Sequence, residues 1–194
     1  RAQFVDVATD HRLATLLRLH EAAFHELGGV PKEILYDWMK TVVLERDGRG
    51  EVVWHPVFRE FAAYWGFTPR LCQPYRAQTK GKVESGIKYL RGNFLCGRSA
   101  DSLEDLRNQM RHWNWTVANR RVHGTTHRMV EEAWEEEKPL LQSLAGRQTF
   151  GHCHEEMRRV ARDAYIHYRG NRYSVPWTTA GRRVAVRERD GLIE

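Results

Sequence analysis

Leu13, Leu16, Leu17, Ala23, Phe24 and Leu27 recur at helical intervals, which gathers apolar side chains on one face of an α-helix. The pattern predicts a helix entered through Thr9-Asp10 and stopped at Gly28-Gly29, with Pro31 beyond. Before it, residues 3–8 read as a short strand. After it, 33–37 read as a second strand, ending on Asp37. Val42-Val43-Leu44 and Glu51-Val52-Val53-Trp54 flank Asp47-Gly48-Arg49-Gly50, a hairpin signal. His55-Pro56 opens a helix carrying Phe58, Phe61, Ala62 and Trp65, and Gly66 closes it. Arg70-Leu71-Cys72 is a short strand. A helix over 78–95 then carries Val83, Ile87, Leu90 and Phe94 along one side, which is expected to be packed. This alternation of strands and helices is that of an α/β domain.

The next helix starts at Ser102, with Asp105 three residues on as a capping-box variant, and bears Leu103, Leu106, Met110, Trp113 and Val117. A further helix is predicted over 131–144, with acids at its start where the helix dipole favours them. The segment 147–157 is polar and reads as a linker. Beyond it, strands at 165–168, 172–175 and 184–186, separated by Gly-containing turns, predict a small β module over 158–194.

Composition bounds this picture. The 194 residues are 41% hydrophobic and 29% charged, which supports a packed core rather than wholesale disorder. No stretch approaches the ~20 apolar residues a membrane helix needs. Cys72, Cys96 and Cys153 show no motif spacing, as expected of free thiols. His152-Cys153-His154 lacks a second ligand pair nearby and reads as a loop rather than a metal clip.

Charge changes the picture more. The net charge is +6. Residues 68–98 hold seven bases (Arg70, Arg76, Lys80, Lys82, Lys88, Arg91, Arg98) and one acid, Glu84, which is also +6. The excess is therefore concentrated, as expected of a patch facing a polyanion. On the helix from Gln78, positions 80, 84, 88 and 91 share a face that reads Lys-Glu-Lys-Arg. Two readings stand side by side. Glu84 can pair with Lys80 and Lys88 on a solvated face. Alternatively, Asp37 and Glu84 together suit a divalent cation held against nucleic-acid phosphates, the bases serving the backbone.

Gln73-Pro-Tyr-Arg-Ala-Gln-Thr-Lys-Gly-Lys-Val-Glu84 resembles the segment bearing the last acid of the DDE motif in retroviral-integrase-like transposases. Val30-Pro-Lys-Glu-Ile-Leu-Tyr-Asp37, followed by Met39-Lys-Thr-Val-Val-Leu-Glu-Arg46, narrows the resemblance to IstA transposases of the insertion-sequence-21 family. Ala118-Asn-Arg-Arg-Val-His-Gly-Thr-Thr126 and Arg172-Tyr-Ser-Val-Pro176 also fit it.

The resemblance implies a partial ribonuclease-H-like integrase core over 1–98, a helical extension over 99–146, the linker, and a small β-barrel-like module. It implies transposition of DNA by phosphodiester cleavage and strand transfer at a two-Mg²⁺ site. Asp37 matches the second acid and Glu84 the third, as catalytic and metal-binding residues. Arg76, Lys80, Lys82, Lys88 and Arg91 are the expected DNA contacts. The first acid belongs on a strand preceding this stretch, so the chain reads as truncated at both ends. Asp6 lies within the predicted first strand and Asp10 reads as a helix N-cap; neither matches the motif. Trp38 and Ser85 stand where the family is expected to carry Asn and Arg. Without the first acid, the alternative is a DNA-binding remnant that does no chemistry. The resemblance further implies a homo-oligomer on DNA, an AAA+ ATPase helper and a bacterial cytoplasmic, nucleoid-associated location. The β module, with nine arginines over 158–189, resembles the small C-terminal barrel of such transposases, and that resemblance implies DNA contact or subunit packing.

Overall fold

A computed structural model describes residues 2–72, 77–150, 154–189 and 192–193. The chain is mixed α/β and divides into two compact units, one through Arg147 and one from Gln148.

The first unit is built around aromatic side chains. Helix α1 (Leu13–Leu27) ends at Gly28, whose φ of 81° is the left-handed conformation that glycine takes at low cost. Its N-cap is Arg12 rather than the expected Asp10, and the Arg12 side chain makes no capping bond. The Asp10 carboxylate accepts the Arg12 N–H at 2.9 Å, and a further bond to the Thr15 side chain holds its pKa below the usual value. Helix α2 (Pro56–Trp65) starts on proline, which suits the first turn, and stops at Gly66. Phe24 of α1 packs on Phe61 and Trp65 of α2 and on Phe67. Phe58 of α2 meets Tyr36 edge-on at 5.1 Å between centroids.

Strand β1 (Glu33–Tyr36) pairs in parallel with β4 (Thr68–Leu71), Glu33 opposite Thr68 and Tyr36 opposite Leu71. The connection between them holds the expected hairpin, β2 (Val43–Arg46) with β3 (Val52–Trp54), and then α2. The Asp47 carboxylate secures the hairpin turn by accepting the N–H groups of Arg49 and Glu51.

Helix α3 (Ala77–Tyr89) continues into a π-helical turn over Leu90–Leu95. Helix α4 (Leu103–Trp113) does the same over Asn114–Ala118. Ser102 caps α4 by accepting the Asp105 N–H at 3.0 Å, while the Asp105 carboxylate reaches Asp101 rather than Ser102. Phe94, Met110, Trp113 and Ala118 form a buried cluster with Val5 and Val7 against it.

Several expectations are corrected here. Residues 3–8 form no strand. Their backbone is held by α4 and the turn after it: Asn114 donates to the Gln3 carbonyl at 2.8 Å and Arg107 to the Val7 carbonyl at 3.0 Å. The apolar side of α3 is not packed along its length, since Val83 is 64% exposed and Ile87 45% exposed; only Phe94 is buried. The helix predicted over 131–144 is α5 (Val130–Glu137), ending in a 3₁₀ turn at Pro139, which disfavours helical backbone in the residue before it.

In the second unit, β5 (His154–Arg159), β8 (Arg183–Arg189) and β9 (Leu192–Ile193) make one antiparallel sheet. Strands β6 (Tyr165–Tyr168) and β7 (Asn171–Ser174) make a separate hairpin. Among the described residues no barrel closes; two small sheets share a core of Val160, Ile166, Tyr168 and Val186. Strand β5 starts within the stretch that reads as a linker. Cys153 and the His152–Cys153 pair lie outside the described residues, while Cys72 and Cys96 form no disulfide. Among the described residues no helix is long and apolar enough to cross a membrane.

Candidate acidic site and basic surface

Asp37 follows the last residue of β1. The parallel register decides where it stands. Tyr36 is level with Leu71, and the Cys72 N–H donates to the Tyr36 carbonyl at 2.8 Å. In a parallel pair both strands deliver their C-terminal ends to the same sheet edge. Asp37 therefore leaves the sheet at the edge from which the chain proceeds toward α3.

Glu84 lies seven residues beyond Ala77, the first residue of α3. At 1.5 Å per residue this is about 10 Å along the helix. Asp37 and Glu84 are both exposed. Among the described residues no cation pairs with Glu84, so the expected bond to Lys88 is not made. Lys88 and Arg91 are exposed, Arg91 within the π-helical turn. Ser85, Lys88, Tyr89, Gly92 and Asn93 line a shallow hollow of about 420 Å³. The backbone of Lys80 and Lys82 lies in α3; their side chains, and all of Arg76, lie outside the described residues.

The position of Asp37 is prepared by Tyr36. This residue is buried, and its hydroxyl lies 2.8 Å from His20 Nε2. The His20 ring in turn sits against Phe24, Phe61 and Phe67. Burial raises the Tyr36 hydroxyl pKa and lowers that of His20. Trp38, next to Asp37, is half exposed and has the Arg46 guanidinium over its ring at 5.8 Å. It faces partly outward rather than filling the core.

The remaining acids near the N-terminus have structural partners. Asp6 is nearly buried, bonded to Arg107 at 3.2 Å, and Asp10 accepts the Arg12 N–H just before α1. In the distal motif, Arg121 lies over the Tyr89 ring at 3.7 Å, and Asn119 is buried. His123 accepts the Thr125 N–H in a local turn. Sequence reasoning missed both the His20–Tyr36 bond and the Arg121–Tyr89 stack, because each joins side chains of different elements whose packing no local pattern encodes.

Two carboxylates are the right kind of ligand for a hard divalent cation. They are too few: among the described residues no group of three or more Asp, Glu, His or Cys is placed to hold a metal ion. These residues alone do not fit a complete two-metal site.

Residues 145–194 match the family of the Mu transposase C-terminal domain. The chain is 40% identical over 171 residues, 86% of its length, to the putative transposase for insertion sequence element IS5376 of Geobacillus stearothermophilus. It is 36% identical over 179 residues, 92% of its length, to the transposase for insertion sequence element IS21 of Pseudomonas aeruginosa. A third relative, the transposase for an IS21-like element of Bacteroides fragilis, is 32% identical over 178 residues. The chain spans 41%, 44% and 34% of these three relatives' lengths, respectively.

Proposed function

The chain belongs with the transposases of IS21-type insertion sequences, and on that premise we propose that it acts on DNA in transposition, as part of an enzyme that cleaves and joins phosphodiesters. Within it, Asp37 and Glu84 are the two carboxylates of the reacting centre. Lys88 and Arg91, with Arg76, Lys80 and Lys82, hold the phosphate backbone. The observation that carries this reading is the parallel β1–β4 pair. It puts Asp37 at the sheet edge from which the chain leads into the helix of Glu84, in a sequence 40% identical to a transposase.

The same pair, with its intervening hairpin and α2, supports placing 1–98 in a ribonuclease-H-like core, followed by a helical extension over 99–146. The connecting stretch 147–157 and the β module over 158–194 complete the proposed organisation. Mg²⁺ is the proposed cofactor, and oxygen ligands besides Asp37 and Glu84 must complete its site. Assembly as a homo-oligomer on DNA, and partnership with an AAA+ ATPase, are part of the same proposal and rest on the family resemblance.

One observation favours a second reading, DNA binding without chemistry: no third ligand joins the two acids among the described residues. Joining of insertion-sequence-end DNA to a target duplex separates the two readings. The protein to assay is the longest reading frame containing these residues. Joining that is lost in Glu84→Gln while DNA binding persists supports catalysis. Binding with no joining in the parent supports the second reading.

A further inference from the structure

Helix α3 carries Glu84, and its described side chains show how little holds it. Val83, Glu84, Ser85, Ile87 and Lys88 are all exposed. Among the described residues, a Cβ added at Gly86 would meet only the Gln3 side chain beyond its own helix, 3.8 Å away. Burial begins at the last residue, Tyr89, and deepens through Leu90 to Phe94. Among the described residues, α3 is therefore fastened at its C-terminal end. Glu84 stands five positions before Tyr89, about 7.5 Å along the helix at 1.5 Å per residue.

The fastening is built from three side chains. The Tyr89 ring lies 5.5 Å from the Trp113 ring, centroid to centroid. Trp113 is buried and donates from Nε1 to Asn93 at 2.7 Å. The Arg121 guanidinium lies over the Tyr89 ring at 3.7 Å. Arg121 is itself held through its backbone: its carbonyl accepts the Val130 N–H at 3.1 Å, and Val122 bridges to Met129 just beyond. Its Nη1 is buried with no hydrogen-bond partner among the described residues. The Tyr89 ring is the partner the structure gives this cation, and attraction of a cation to a π face strengthens as water is removed.

We propose that Arg121 is a positioning residue for DNA joining: it pins Tyr89, at the fastened end of α3, and so sets where the helix holds Glu84. The proposal rests on the catalytic reading of Glu84 above. Lys88 and Arg91 reach phosphates on long flexible stems and tolerate a small tilt of α3. A carboxylate at a reacting centre does not, since a misplacement of about 1 Å costs on the order of 100-fold in rate. Loosening the stack slows joining and leaves DNA affinity nearly unchanged.

The test uses the longest reading frame containing these residues. Joining rate, KM for DNA, melting temperature and amide exchange over 84–89 are recorded for each variant. Arg121→Met keeps an apolar stem and removes a charge with one buried end unpartnered, so it is expected to melt near the parent temperature. It is expected to lower kcat by about tenfold or more with KM within about threefold of the parent, and to speed amide exchange over 84–89. Arg121→Lys, which keeps a cation for the ring, restores most of the rate. Tyr89→Leu, which removes the ring, behaves as Arg121→Met does, while Tyr89→Phe, which keeps a π face, restores joining. A parent that joins DNA, with Arg121→Met joining as fast, overturns the positioning role and leaves the catalytic reading standing. A loss of kcat that comes with a raised KM or a lower melting temperature, and that Arg121→Lys does not restore, overturns it in favour of a DNA contact or a general structural role. A parent that joins no DNA overturns the catalytic reading and this role with it.

Discussion

His20 Nε2 accepts the hydroxyl hydrogen of Tyr36 at 2.8 Å. The other ring nitrogen, Nδ1, lies 2.8 Å from the Leu16 carbonyl, which can only accept, so the proton sits on Nδ1. The bond ties α1 to the last residue of β1 and fixes the backbone from which Asp37 departs.

This arrangement makes stability depend on pH. Desolvation lowers the His20 pKa in the folded chain below its ordinary 6.5, so the unfolded chain takes up a proton first. Stability is then full above about pH 6.5 and falls as pH drops toward the folded-state pKa. Urea unfolding at about pH 7.5 and about pH 5 measures it. His20→Gln is expected to remove part of the difference.

Removing the donor strands the acceptor. Tyr36→Phe keeps the ring packing on Phe58 and leaves His20 Nε2 without its hydrogen. A loss of about 1–3 kcal/mol in unfolding free energy is expected. In Asp37→Asn, which leaves the bond intact, the fold should melt as the parent does.

Gly29 tests the closure of the first unit. A Cβ there would stand 2.6 Å from Leu141 Cβ and 2.9 Å from the Gln142 carbonyl. That is the point where Val30 and Gln142 exchange backbone hydrogen bonds. Gly29→Ala is expected to cost about 1–3 kcal/mol of unfolding free energy through this overpacking and so to lower the melting temperature. Gly48→Ala, in the open hairpin turn with nothing within 4 Å, should leave it near the parent value.

Ser102→Ala removes the side-chain acceptor for the Asp105 N–H. The expected cost is about 1 kcal/mol, read by the same unfolding measurement.

The periodic apolar positions of α1 and α2 made those helices legible, and their glycine stops fell where left-handed backbone is needed. Periodicity tells which residues share a face but not whether anything covers it. Val83 and Ile87 therefore read as core and stand exposed. Strand β5 was hidden because His-Glu-Glu-Met-Arg-Arg has charge on both faces; its partner β8, twenty-odd residues on, defines it. Residues 3–8 look like a strand locally, and side chains of Arg107 and Asn114, about a hundred positions away, hold them otherwise. Asp37 was legible as the acid at the end of a strand. The facing of Arg159 and Arg183 across β5 and β8 was not, since it exists only through a register that no local pattern encodes.

In the proposed function, Asp37 and Glu84 act as one unit in DNA joining. The most direct measurement compares Asp37→Asn, Glu84→Gln and the double variant in the longest reading frame containing them, with DNA binding and melting recorded for each. Residues that act together lose nearly everything when either is removed. Each single variant is expected to join as little DNA as the double one while still binding and melting like the parent. Parent-level joining by Glu84→Gln would contradict it.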